Sequence, residues 1–139
     1  DGWASVLLSA AGGEMAKKIL VIDDEELIIK SLVKLLTKSG FDVFIAKNGQ
    51  DALAMIECEE LFDLLLVDIR MPGMDGVETV RAINDNLKEK ECKRIPVIFI
   101  TGYANADIRK EAEILKPIAY IHKPFDILEL VNKIKGVLQ

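Results

Sequence analysis

Asp68 directly follows the apolar run Leu64, Leu65, Leu66, Val67 and directly precedes Ile69, Arg70, Met71, Pro72 and Gly73. A second apolar run, residues 19–22, also ends in acid, at Asp23, Asp24, Glu25 and Glu26. A third, residues 97–100, ends in Thr101 and Gly102, and a fourth, residues 118–121, ends in His122, Lys123 and Pro124. If the four runs are parallel strands, their carboxyl ends lie side by side. Three carboxylates (Asp23, Asp24, Asp68), a hydroxyl (Thr101) and an ammonium (Lys123) then meet at one rim. A carboxylate can serve as a nucleophile and form an acyl phosphate. Three carboxylates ~5 Å apart repel by roughly 3 kcal/mol per pair at an effective dielectric near 20, a cost that a divalent cation relieves. Mg2+ suits an all-oxygen, partly hydrated site of this kind. The set fits a phosphorylatable aspartate beside Mg2+.

Positioning such a set requires alternating strands and helices, and the pattern from Lys17 onward is strand then helix, five times over. Strands are predicted over residues 18–22, 42–46, 64–67, 96–100 and 118–121. Between and after them the spacing predicts helices over about 26–39, 49–57, from 77, 106–115 and 126–138. Ile28, Leu32, Leu35 and Leu36 share one face of the first helix, and Gly40 stands where a left-handed cap would end it. Asn48 can cap the second helix, whose inward residues are Ala52, Leu53 and Ile56. Val77, Val80, Ala82 and Ile83 mark the third, and the charged stretch 88–94 reads as a solvated turn. Pro117 stops the fourth, and Ile127, Val131, Ile134 and Leu138 line the fifth. Continuous apolar strands alternating with helices mean a parallel sheet covered on both faces, with ligands at the carboxyl ends of its strands.

The bulk composition limits the alternatives. At 139 residues, half of them apolar, the chain is one domain with a substantial core. A net charge of −5 argues against direct nucleic-acid binding, because phosphates would be repelled. No apolar run approaches the ~18 residues of a membrane span. The two cysteines, Cys58 and Cys92, form no CxxC and support neither a zinc site nor a disulfide framework; they fit a reducing, cytoplasmic setting. Residues 1–14, with the only tryptophan (Trp3) and the pair Gly12 and Gly13, read differently from the rest. They are expected to be a vector-derived remnant or a flexible tail, with the domain over residues 15–139.

In this order, four segments resemble the receiver domain of bacterial two-component response regulators. They are residues 21–25 (Val-Ile-Asp-Asp-Glu), 67–76 (Val-Asp-Ile-Arg-Met-Pro-Gly-Met-Asp-Gly), 100–102 (Ile-Thr-Gly) and 123–125 (Lys-Pro-Phe). The resemblance covers about residues 17–139. It implies a flavodoxin-like, doubly wound five-stranded parallel sheet of order 2-1-3-4-5 with five helices. It also implies phosphoryl transfer to Asp68 from a sensor histidine kinase or a phosphotransfer protein. Asp23, Asp24, Asp68 and the backbone carbonyl of Arg70 would then hold Mg2+. Thr101 would donate to a phosphoryl oxygen, and Lys123, aimed inward beside a cis Pro124, would pair with the group as a point charge. Thr101 and Tyr120 fall at the family's switch positions and would couple phosphorylation to the face of helix four, strand five and helix five. That face would be read by an output domain or protein, or by a phosphorylation-dependent homodimer. Such a domain is a phosphoacceptor that assists its own Mg2+-dependent phosphorylation and dephosphorylation, not an enzyme with turnover. It is a stand-alone regulator or part of a longer protein.

Each residue also has an ordinary reading. An aspartate after a strand can cap a helix, Glu25 and Glu26 suit a first helical turn, and His122 reads as incidental. Arg70, two residues past Asp68, and Tyr103, two past Thr101, would obstruct an attacking water. A haloacid-dehalogenase-like phosphatase would need a second aspartate where Arg70 stands. A flavodoxin-type carrier would have its flavin phosphate repelled by residues 23–26. The closest rival is a receiver-like module that binds partners without being phosphorylated.

Overall fold

The computed structural model describes residues 16–57, 61–102 and 105–139. The expectations for residues 1–14, for Cys58 and for Tyr103 lie outside them. In chain order the elements are β1 (Lys18–Ile22), α1 (Glu26–Lys38), β2 (Asp42–Ala46), α2 (Gly49–Glu57), β3 (Leu64–Asp68), α3 (Gly76–Glu89), β4 (Val97–Thr101), α4 (Ala106–Ile114), β5 (Ala119–His122) and α5 (Ile127–Leu138). All strand pairs are parallel and the order is β2-β1-β3-β4-β5, as expected.

Side chains alternate across a strand, so each apolar run feeds two cores. Leu20, Ile22, Leu65, Val67, Val97 and Phe99 face one side, where Ala52, Met55 and Ile56 of α2, Val77, Val80 and Ile83 of α3 and Ala112 of α4 cover them. Ile19, Val21, Leu64, Leu66, Ile98 and Ile100 face the other, under Leu32 and Leu36 of α1 and Leu130, Val131 and Ile134 of α5. Burial on both faces is why the strands read as continuous apolar runs rather than alternating ones.

The helix faces shift slightly from the periodicity. Ile29 is buried in α1 while Ile28 and Leu35 sit at the margin, and Met55 and Leu130 join the cores. The larger departure is α3, which runs to Glu89 and so takes in the start of the stretch expected as a turn. Buried Leu87 keeps that last turn docked, and Glu91, at φ +58°, ends it. Gly40 does adopt the left-handed conformation, at φ +99°. Asn48 Oδ1 accepts from the Asp51 N–H at 2.8 Å, the expected cap of α2.

Candidate functional site

The register brings the predicted residues to one end of the sheet. Ile22 pairs with Val67, and Asp68 with Ile100, so Asp23, Asp68 and Thr101 leave three adjacent strands at one rim. The turn after β3 is held close by Gly76, whose N–H donates to the Ile69 carbonyl at 2.7 Å. A Cβ on Gly76 would lie 2.4 Å from the Asp68 carbonyl oxygen, so only glycine permits this approach. Asp75 then caps α3 through a reciprocal pair, its side chain accepting from the Glu78 N–H while the Glu78 side chain accepts from the Asp75 N–H.

Asp23 and Asp68 are almost fully buried. One oxygen each from Asp23, Asp24 and Asp68 lies within 4.8 Å of the others. Asp23 Oδ1 accepts from the Glu25 N–H at 2.9 Å, but Asp23 Oδ2 is buried with no hydrogen-bond partner among the described residues. Asp68 Oδ1 accepts from the Arg70 N–H at 3.3 Å, and Oδ2 from Lys123 Nζ at 3.2 Å. Lys123 Nζ also lies 2.7 Å from Glu25 Oε1 and 3.8 Å from Asp23 Oδ2. The Lys123–Pro124 peptide bond is cis, as expected. These groups frame an open cleft of about 430 Å3 lined by Asp24, Glu25, Asp68, Arg70, Gly102 and Lys123.

The charges are out of balance. Burial raises the pKa of Asp23 to about 7, reinforced by the neighbouring Asp68 charge and opposed by the Glu25 N–H and by Lys123. Burial also raises the pKa of Asp68, against the pull of Lys123. For Lys123, burial works against the charge, but the Glu25 hydrogen bond and the charges of Asp23 and Asp68 outweigh it and raise the pKa. One ammonium is shared among several acids. A buried carboxylate oxygen without a partner costs free energy unless something satisfies it. The donor set is all oxygen, and the cleft admits water. These residues fit a hard divalent cation such as Mg2+.

Thr101 is fully buried at the end of β4. It lies two residues past Phe99, and Phe99 pairs with Tyr120 on β5, so Thr101 and Tyr120 share the face covered by α4. Tyr120 is half-buried. The Arg109 guanidinium sits 4.5 Å from its ring centroid, and His122 lies edge-on at 5.4 Å. His122 is exposed, with Nε2 3.4 Å from Arg109 Nη1. Two contacts escaped the sequence reading. Glu25, assigned to a helical first turn, instead holds Lys123, and Arg109 covers Tyr120. Neither leaves a sequence signal, since Glu25 and Lys123 are 98 residues apart. Among the described residues, no helix is long and apolar enough to cross a membrane.

Residues 19–135 match the family model for the response regulator receiver domain. Sporulation initiation phosphotransferase F of Bacillus subtilis (strain 168) is 35% identical over 127 residues, covering 89% of this chain and 95% of that protein. A response regulator receiver domain protein (CheY-like) from Methanospirillum hungatei JF-1 superposes with a TM-score of 0.77 at 33% identity, covering 87% of this chain and 92% of that one. The chemotaxis protein CheY4 of Vibrio cholerae superposes with a TM-score of 0.76 at 27% identity, covering 88% and 99%. With the sheet order and the acid rim, these matches make the chain a member of the response regulator receiver domain family, which acts in phosphorelay signalling.

Proposed function

We propose that Asp68 accepts a phosphoryl group from a phosphohistidine of a sensor kinase or phosphotransfer protein. Mg2+ would be held by Asp23, Asp24, Asp68 and the Arg70 backbone carbonyl. The observation that carries this reading is the convergence on Asp68 of the Lys123 ammonium, 3.2 Å away, and of an acid cluster with an unpartnered buried oxygen. In the step, a carboxylate oxygen of Asp68 forms a bond to phosphorus as the donor's N–P bond breaks. The imidazole nitrogen leaves with the electron pair and ends protonated. Mg2+, when bound, supplies charge that neutralises the phosphoryl oxygens. Lys123 and the Thr101 hydroxyl hold those oxygens and fix the group in line.

The chain is a phosphoacceptor that promotes its own phosphorylation and dephosphorylation, not an enzyme with an external product. The donor would seat on the apolar pocket that adjoins the acid cleft through Glu25, Gly102 and Lys123. That pocket is lined by Leu27, Ile28, Phe125 and Ile127, with Leu27 77% exposed. Its supporting argument is proximity, since the donor imidazole must come within bonding distance of Asp68. Once phosphorylated, Asp68 draws the Thr101 hydroxyl to it, and Tyr120 turns inward. The altered α4–β5–α5 face then meets an output domain or protein, or a second copy of this chain. Such a shift is limited to the difference in contacts between the two states.

The test is incubation with acetyl phosphate and Mg2+. One phosphoryl group, released by hydroxylamine, should appear on the parent and be absent from Asp68→Asn. Equal labelling of the two proteins would discard the assignment, and no labelling of either would favour a module that acts without phosphate.

A further inference from the structure

Glu25 has no part in the reaction described above, yet it touches two groups that do. Its N–H donates to Asp23 Oδ1 at 2.9 Å, and its Oε1 accepts from Lys123 Nζ at 2.7 Å. Among the described residues, that is the shortest of the three acid contacts of Lys123, ahead of Asp68 at 3.2 Å and Asp23 at 3.8 Å. The Lys123 side chain is 17% exposed and that of Glu25 52%. A largely covered ammonium is thus held at the rim by a carboxylate that water also reaches. The stem of Lys123 runs past Gly102, where an added Cβ would lie 3.6 Å from Cδ.

We propose that Glu25 is a tether: a positioning residue that draws Lys123 toward the rim in the resting state and competes with the phosphoryl group for it. The inference rests on Asp68 being the phosphoacceptor. A phosphoryl group on Asp68 adds charge of roughly −1.5 to −2 and three acceptor oxygens. An ammonium has three N–H donors, and in the resting state Glu25 and Asp68 both accept from it. That leaves one donor for three new acceptor oxygens, so to give the new group more than a single contact Lys123 exchanges Glu25 for a phosphoryl oxygen. Glu25 is then left facing a group of its own sign and turns to water, which its exposure allows. Loss of the pair and like-charge repulsion act in the same direction: both lower the site's affinity for the phosphoryl group and slow its acceptance. With acetyl phosphate, an Asp68 oxygen bonds to phosphorus while the bond from phosphorus to the acetate oxygen breaks. Acetate leaves with the electron pair, and no proton is consumed. Glu25 takes no part in bond making; it sets where Lys123 waits.

Two variants separate reach from charge. Glu25→Gln keeps the length and removes the charge, whereas Glu25→Asp keeps the charge and is one methylene too short to hold Lys123 where it now lies. The measurements are beryllofluoride affinity by NMR titration and the rate of labelling by acetyl phosphate, both on the full chain at saturating Mg2+. Glu25→Gln should bind beryllofluoride roughly threefold to fivefold tighter and label faster by a similar factor, the scale of a half-exposed ion pair. Glu25→Asp should behave like Glu25→Gln rather than like the parent. In a Lys123→Ala background, Glu25→Gln should lose most of its gain, because the two residues act through one contact. A parent that labels with Glu25→Gln unchanged or weaker overturns the tether alone. So does a Glu25→Asp protein that matches the parent, since charge at the rim would then be the whole effect. A gain that persists without Lys123 overturns it as well. A parent that takes up no label overturns the phosphoacceptor assignment itself.

Discussion

The two edges of the sheet are built to different tightness. On the β2 edge, all five strand residues are buried, and α1 closes over the strand with Leu32 and Leu36. On the β5 edge, no strand residue is buried, and in α4 Ala112 alone is buried, with Ile108 packed at the margin of the core. The α4 side also leaves Ile114 72% exposed and Ile118 40% exposed. Tyr120 is retained there by a stacked Arg109, itself bonded to Glu113, rather than by full burial. An edge with little buried area loses little when it repacks, and moving elements are drawn from such low-stability regions. Thr101 joins the acid rim to this loose edge through β4, while the β2 edge acts as a fixed frame.

Phosphorylation tests this contrast most severely. Asp68→Asn should take up no phosphoryl group from acetyl phosphate. In the parent, beryllofluoride should shift amide resonances of α4 and β5 while those of β2 stay in place. Comparable shifts on both edges would break the contrast. Truncation comes next. Ile45→Ala on β2 should cost about 3 kcal/mol in urea unfolding, and Ile121→Ala on the half-exposed β5 about 1 kcal/mol. Equal losses would mean that the edges are equally packed.

Mg2+ should stabilise the whole domain by about 2.7 kcal/mol at a concentration 100 times its dissociation constant. Asp24→Ala should remove that gain. By hydrogen exchange, the gain should appear at β2 amides, which open only on global unfolding. Amides of β5, which open locally, should change less. A pH series without metal should show a smaller effect of definite sign. Asp23 has a folded pKa raised to about 7 from 3.8, so its contribution is full below the unfolded value and is lost as pH rises through 7. Metal-free stability should therefore fall between about pH 4 and pH 7 and level off above, and Asp23→Asn should flatten the fall. The smallest change expected is from Arg109→Ala, which removes a cation–π contact worth at most about 1 kcal/mol at a partly exposed site. It should alter the ring resonances of Tyr120 and leave β2 untouched.

Much of this was legible in the sequence. Apolar runs ending in Asp23, Asp68, Thr101 and Lys123 determine the strands and their carboxyl ends, because strands buried on both faces must be apolar throughout. Gly40 and Asn48 mark helix ends through local backbone chemistry that needs no distant partner. The chemistry of the rim follows as well, since the residue types fall at strand ends in chain order. What lay beyond the sequence was every choice set by space. Leu87 carried α3 into the start of the expected turn because a core position was there to receive it. Ile29 took the inward position in α1, a matter of helix rotation about its own axis. Arg109 found Tyr120 only because α4 lies over β5. Most of all, Glu25 reads as an ordinary acid at a helix start, and only the fold set its carboxylate 2.7 Å from Lys123. Local pattern determines which elements form and what they carry, since spacing along one strand or helix fixes which way a side chain faces. Which charges meet depends on how separate elements pack, and only the tertiary structure decides that.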